Sequence, residues 1–273
     1  LREVAAWGDH YRYHRDKGFL AIEADVARVA ALRALGFFVE VDEELTSWIR
    51  HAEAAQLVAA ERAARGEAPE AGIPGFPCYR TVEETFASAQ ALAAAHPTLA
   101  TIVDAGNSWE KATAGGLAGY DMLVLKLTNS GVPGPKPKLF ATTAIHAREY
   151  TTAELAMRFA EGLVDGYGID ADATWLLDHH EVHLLLQTNP DGRKNAEAGA
   201  FWRKNTDNNY CANTDSRGAD LNRNFAFQWG CCGGSSGSQG EETYRGAAPA
   251  SEPEVQAVQA YLLAHFPYQR GPN

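Results

Sequence analysis

The sequence predicts an α/β fold: a mixed, largely parallel sheet with helices on both faces, preceded by a small α+β unit. Three observations predict it. Residues 139–145 and 182–186 are near-continuous apolar runs, as in strands buried on both faces. Strand-like and helix-like segments alternate around them. Residues 52–73 shift to Ala, Glu and Arg and then to Gly and Pro, which separates residues 1–72 from residues 73–273. The 273 residues, 45% hydrophobic and 22% charged, suffice for a sizeable core. A net charge of −11 argues against a nucleic-acid partner and for solubility, with a monomer expected. No apolar run approaches the ~20 residues of a membrane span, so no membrane partner is expected.

The elements follow in order. Residues 18–22 read as a strand, residues 25–35 as an amphipathic helix stopped by Gly36, and residues 37–41 as a second strand, giving a β-α-β piece. Residues 52–73 read as a helical arm running into a linker, where Arg62 and Arg65 would suit cleavage. Thr81-Val82-Glu83-Glu84 is a capping box, and the helix it opens ends at His96-Pro97. Strands are expected at 99–103, 120–128 and 139–145, with residues 129–136 as a loop. Helices follow at 151–164 and around Trp175-Leu176-Leu177, then the buried strand 182–186. Asn189-Pro190-Asp191-Gly192 reads as a structural turn. Residues 233–240 form a Gly- and Ser-rich surface loop. Ser251-Glu252-Pro253-Glu254 is a second capping box, opening a helix with Val255, Val258 and Leu262 on one face. Four cysteines, Cys78, Cys211, Cys231 and Cys232, lack Cys-x-x-Cys spacing and read as two disulfides with three possible connectivities. The neighbours Cys231 and Cys232 are expected to pair elsewhere, because a bond between adjacent residues is strained.

The chemistry concentrates at His146-Ala147-Arg148-Glu149, just after an expected strand. An imidazole and a carboxylate at i and i+3 can converge on one zinc ion. Taken alone, the pattern equally marks a helix start with a capping glutamate. Further along come Asn189-Pro190-Asp191-Gly192, Phe201-Trp202-Arg203-Lys204 and Gly218-Ala219-Asp220-Leu221-Asn222-Arg223-Asn224-Phe225.

These blocks, in this order, resemble the zinc metallocarboxypeptidases related to pancreatic carboxypeptidase A, in a bacterial-type member. The resemblance covers the chain from about Tyr79 onward. It implies a carboxypeptidase-like fold and a zinc cofactor held by His146 and Glu149, with Asp220 orienting the histidine. It implies that Arg203 stabilises charge on the carbonyl oxygen, that Asn222 and Arg223 bind the substrate's terminal carboxylate, and that Arg148 serves a further subsite. The partners it implies are peptides or proteins with a free C-terminus. It also implies a disulfide straddling the Asp-x-Asn-Arg-Asn block, Cys211 with Cys231 or Cys232, leaving Cys78 the other. A secreted zymogen with residues 1–72 as its pro-segment is the matching expectation, with a plain N-terminal extension as the open alternative.

The same resemblance implies a third ligand, a histidine on the strand after the helix at 251–266, and a general-base glutamate later still. Neither is found, and His265 lies on that helix. The expectation is therefore the front portion of a longer enzyme, with a catalytic domain truncated at its C-terminus, inactive as it stands. Two alternatives stay open: a zinc amidohydrolase acting on acylated amino acids, and a non-catalytic relative that keeps carboxylate recognition.

Overall fold

The computed structural model describes residues 11–14, 18–22, 24–67, 71–212 and 214–266, which excludes residues 68–70 of the expected linker. The chain divides into two compact units, residues 1–51 and 52–273. In the first, β1 (Tyr11–His14) pairs antiparallel with β2 (Phe19–Ile22). The helix α1 (Val26–Ala34) follows, its first turn capped by the Asp25 carboxylate, which accepts from the Arg28 amide at 2.7 Å. The strand expected at 37–41 does not form. Those residues carry no regular structure, and Phe38 is 93% exposed. With no neighbouring strand among the described residues to complete its hydrogen bonds, an apolar run gains nothing by extending, so the described part of the unit reads β-β-α rather than β-α-β. The helix α2 (Glu43–Ala64) runs across the division between the units.

The second unit is built on a four-stranded mixed sheet. Its strands are β3 (Ala100–Asn107), β4 (Asp121–Leu127), β5 (Lys138–Thr142) and β6 (Glu181–Leu185), in the order β3-β4-β6-β5. Only β5 and β6 are parallel, while β3–β4 and β4–β6 are antiparallel, so the parallel share is smaller than expected. The reason lies in the connections. Between β3 and β4 there is a single helical turn, α4 (Trp109–Ala112), too short for a crossover. The β5–β6 connection carries two helices, α5 (Tyr150–Gly166) and α6 (Ala171–His179). Among the described residues the outer edge of β5 is unpaired.

Helices cover both faces. The helix α3 (Val82–Ala95) opens with the expected capping box, Thr81 and Glu84 exchanging backbone and side-chain bonds. Along β4, Leu125 and Leu127 point to the face covered by α3, α5 and α6, where they meet Met157, Leu163 and Leu177. Met122 and Val124 point to the other face and pack on Val258 and Tyr261 of α9 (Pro253–His265). That period-2 alternation places one apolar layer on each side of the sheet. His183 of β6 is fully buried on the α9 face, with Nδ1 2.6 Å from the Tyr261 hydroxyl and Nε2 3.0 Å from Glu181. It is a packing residue of the strand.

The second capping box is not made. Glu252 is the N-cap of α9 without a side-chain capping bond, and the Ser251 hydroxyl donates to Glu252 at 2.7 Å. Glu252 and Glu254 are instead fully buried, receiving hydrogen bonds from the Asn205 amide (2.8 and 3.3 Å), and Glu254 also accepts from the Trp109 backbone at 2.8 Å. Burial pushes the Glu254 carboxyl up to about 8 and the nearby Asp191 up to about 6. Glu252 and Asp207 are raised by the same cause. The native state then holds protons that the unfolded chain releases above about 4.5, and stability falls as pH rises from about 4.5 through about 8. Each such carboxyl contributes up to about 1.4 kcal/mol per pH unit across its window. Chemical denaturation at several pH values should give a shallower slope for Glu254→Gln than for the parent chain; parallel curves would refute this account.

Candidate metal centre

The site lies where three segments meet beyond the sheet. After β5 ends at Thr142, residues 143–149 form an irregular connection in which Ala144 takes φ 51. Thr152 in the first turn of α5 closes it, accepting from the Ala144 amide at 2.9 Å and donating to the Glu149 carbonyl at 2.9 Å. Glu149 occupies the N-cap of α5 yet makes no capping bond, so the helix-capping reading of this glutamate fails. Its carboxylate turns to His146, with Oε1 2.7 Å from Nδ1.

Behind the histidine stands Asp220, with no exposed surface. Its Oδ1 lies 3.3 Å from His146 Nε2 and caps α8 (Leu221–Asn224) by accepting from the Asn222 amide at 3.0 Å. Its Oδ2 accepts from Arg203 Nε at 3.1 Å and Nη2 at 2.8 Å. His146, Glu149, Asp220 and Arg203 thus form one contiguous cluster. Burial works against the charged imidazole, but Asp220 and Glu149 outweigh it and raise the His146 pKa. The Glu149 carboxyl is lowered, first by its bond to His146. Burial would raise Asp220, yet His146 and Arg203 hold it below the ordinary carboxylate range.

The other expected residues sit around this cluster. The Arg148 guanidinium lies 4.3 Å from the centroid of the Phe201 ring and pairs with Glu242 at 2.7 Å. Arg223 donates to the Gly234 carbonyl at 2.7 Å, and Asn222 beside it is exposed. The cysteine expectation needs correction: Cys231 and Cys232 are bonded to each other, while Cys78 and Cys211 are free thiols. At the turn, Gly230 (φ 72) and Cys232 (φ 65) both take left-handed backbone, which brings the adjacent sulfurs together instead of sending them to different partners.

Three residues hold the cluster together: Asn189, which the sequence places in a structural turn, and Arg193 and Asn205, which it does not single out. Asn189, fully buried, donates to the carbonyls of Lys204 (2.9 Å), Arg203 (3.3 Å) and Ile145 (3.4 Å) while its Oδ1 accepts from the Gly192 amide at 3.0 Å. It is the N-cap of α7 (Pro190–Glu197), so the segment read as a turn is a helix start. Proline at the first helical position after an asparagine was the available signal. Gly192 has a close-approach role, since a Cβ there would stand 2.4 Å from the Lys204 carbonyl. Arg193, also fully buried, reaches the Ala147 carbonyl at 3.4 Å and the Tyr150 carbonyl at 3.5 Å. Asn205 exchanges backbone and side-chain bonds with Ala219, N–H to carbonyl at 3.0 Å and Oδ1 from the Ala219 amide at 2.8 Å. The Arg203 carbonyl completes the weave by accepting from the Ala147 amide at 3.1 Å.

Imidazole nitrogen and carboxylate oxygen are zinc donors, and here Nδ1 and Oε1 face one another at 2.7 Å. Zinc competes with protons for such groups, so His146 and Glu149 fit the metal as a pair. Among the described residues no group of three or more His, Cys, Asp or Glu is placed to hold a metal ion.

A mixed sheet flanked by helices, with this cluster beyond its parallel pair, defines a zinc carboxypeptidase fold, and the sequence profile of the zinc carboxypeptidase family matches residues 85–270. The chain belongs to that family, whose metal is zinc. It is 32% identical to carboxypeptidase A1 of Rattus norvegicus over 194 residues, 70% of this chain and 42% of that protein. It is 32% identical to a zinc carboxypeptidase of Saccharothrix mutabilis subsp. capreolus over 173 residues, 60% of this chain and 37% of that protein. Thus the chain spans roughly two fifths of the length of these relatives. Carboxypeptidase A from Helicoverpa armigera superposes with a TM-score of 0.65 at 26% identity, covering 88% of this chain and 55% of that one. Thrombin-activatable fibrinolysis inhibitor does so with a TM-score of 0.66 at 26% identity, covering 90% and 57%.

Removing the Asn189 side chain strips a helix cap and leaves three buried carbonyls without its amide, so Asn189→Ala should cost about 1–3 kcal/mol. Urea melts measure it. A midpoint within error of the parent would mean that the two loops hold together without this residue.

Proposed function

We propose that this protein is a zinc-dependent carboxypeptidase that hydrolyses the C-terminal peptide bond of peptides and proteins. One observation carries the reading: His146 and Glu149 face each other at 2.7 Å over a buried Asp220 that also grips Arg203. His146 and Glu149 are the two ligands this chain contributes, and Asp220 fixes the imidazole. Bound zinc would supply Lewis acidity and an activated water. Arg203 is held beside the ligands, where a cation stabilises negative charge growing on the scissile carbonyl. Arg223, half-exposed next to the exposed amide of Asn222, takes the terminal carboxylate, for which a planar guanidinium is suited. Arg148 serves a further subsite with Phe201 beneath it. No third metal-holding side chain joins these two among the described residues.

Residues 1–72 act as a pro-segment in this reading, and the mature enzyme is secreted. The Cys231–Cys232 bond suits an oxidising compartment. No helix among the described residues is long and apolar enough to cross a membrane.

Metal analysis after dialysis and hydrolysis of hippuryl-type substrates against acylated amino acids, each with and without chelator, test the reading. Two ligands hold zinc weakly, so the 273-residue chain should lose it on dialysis and show no measurable peptidase activity. Stoichiometric, chelator-resistant zinc would reveal an unassigned ligand, with His183 and His265 the first positions to mutate. Preference for acylated amino acids in the active enzyme would favour an amidohydrolase.

In the active enzyme the two arginines should separate. Arg203→Ala should lower kcat by roughly 10²–10³ with a smaller effect on KM, as for loss of one oxyanion donor. Arg223→Ala should abolish the advantage of free-carboxylate substrates over C-terminally blocked ones. Equal losses on both substrate types for both variants would contradict these roles.

A further inference from the structure

Behind the loop that carries Arg203 lies a cavity of about 420 Å³, lined by the loop 117–120, by Glu110, by Asp191, Lys194 and Asn195 of α7, and by Arg217. The charges around it are unevenly matched. Lys194 is already engaged by Glu83 at 2.7 Å and Glu197 at 2.5 Å. Arg217 forms no ion pair with any described residue; its guanidinium stands 5.1 Å from the Trp202 ring centroid, and its Nε is buried without an acceptor. The side-chain nitrogen of Asn195 is likewise buried without an acceptor. An unsatisfied buried donor is costly, and two lining one cavity mark a place for an acceptor that the protein does not supply.

The cavity also carries the opposite sign. The Asp191 carboxylate accepts from the Ser108 hydroxyl and the Glu110 amide, both at 2.9 Å, and has no cation beside it. The Glu110 side chain has no ion pair among the described residues. A simple anion would satisfy Arg217 and Asn195 but would sit against these two carboxylates. A molecule with a carboxylate at one end and an ammonium at the other meets both requirements. The volume is that of a small-molecule site.

We propose that this cavity binds a small zwitterion of the α-amino-acid class, its carboxylate on Arg217 and Asn195 and its ammonium toward Asp191 and Glu110. The site is separate from the metal centre yet adjoins it through sequence and contact. Arg217 stacks on Trp202, the neighbour of Arg203, and precedes Gly218, whose φ of +92 and closeness to Asn205 leave no room for a Cβ. Drawing Arg217 on to a ligand alters its contact with Trp202, which makes indole fluorescence a reporter.

Isothermal titration of the full chain with free leucine, N-acetyl-leucine, leucinamide and inorganic phosphate tests the proposal, and none of these measurements needs peptidase activity or metal. Saturable one-to-one binding of leucine is expected, with both blocked analogues and phosphate at least tenfold weaker. Arg217→Gln should weaken leucine binding at least tenfold and abolish the fluorescence change. Glu110→Gln should weaken leucine but not N-acetyl-leucine, and because Glu110 lies on the surface turn α4 it serves even if the Arg217 variant fails to fold. Phosphate or N-acetyl-leucine binding as tightly as leucine, undiminished leucine binding in Arg217→Gln, or no heat at tens of millimolar ligand would each overturn it.

Discussion

A carboxylate with no exposed surface cannot be left alone in a protein interior, and Asp220 is such a group. Its oxygens are divided between the guanidinium of Arg203, the imidazole of His146 and the first turn of α8. The arginine and the histidine come from different loops, and neither loop has regular secondary structure to hold it. The position of the histidine, the position of the arginine and the direction of the helix bearing Asn222 and Arg223 all follow from satisfying one buried anion. The arrangement fixes the orientation of the imidazole, which is the part an outer partner would play in the proposed metal site.

The apolar core does little in this half of the molecule. The two large hydrophobic clusters lie on the faces of the sheet, and near the site the described residues form two small ones, Ala147, Ala196 and Trp202 with Tyr150 against them, and Tyr210, Ala219 and Tyr244. Cohesion there is polar. Asn189, Arg193 and Asn205 each span two segments from a fully buried position. Such networks are directional and demand full satisfaction, so they fix geometry more tightly than apolar contacts of similar strength. A cluster that holds several charged groups at fixed positions gains from that property.

How much of this was legible depended on the range of the forces involved. The strands β4 and β6, the helix α3 with its Thr81 cap, and the pairing of His146 with Glu149 follow from local pattern and short spacing. Arg203 and Asp220 were found because they stand in recognisable blocks, although nothing in the local sequence says that they touch. What escaped was set by distant partners. The run 37–41 has strand composition but no neighbouring strand among the described residues. Ser251-Glu252-Pro253-Glu254 has capping-box spelling, yet Asn205, 47 residues away, draws Glu252 inward. Cys231 and Cys232 bond to each other because a turn with left-handed backbone brings them together, which the count of cysteines does not reveal. Asn189 looked like a turn residue because its three carbonyl partners lie on segments remote in sequence.

The inward-facing carboxyls at the start of α9 also make folding a proton-consuming reaction near neutrality. Glu254, and with it Asp191, Glu252 and Asp207, enter the native state with affinities for hydrogen ion above those of the open chain. Heat absorbed on unfolding therefore includes the heat of buffering the hydrogen ions set free. Calorimetric enthalpies for this protein consequently depend on the buffer chosen, and Tris and phosphate bracket the difference.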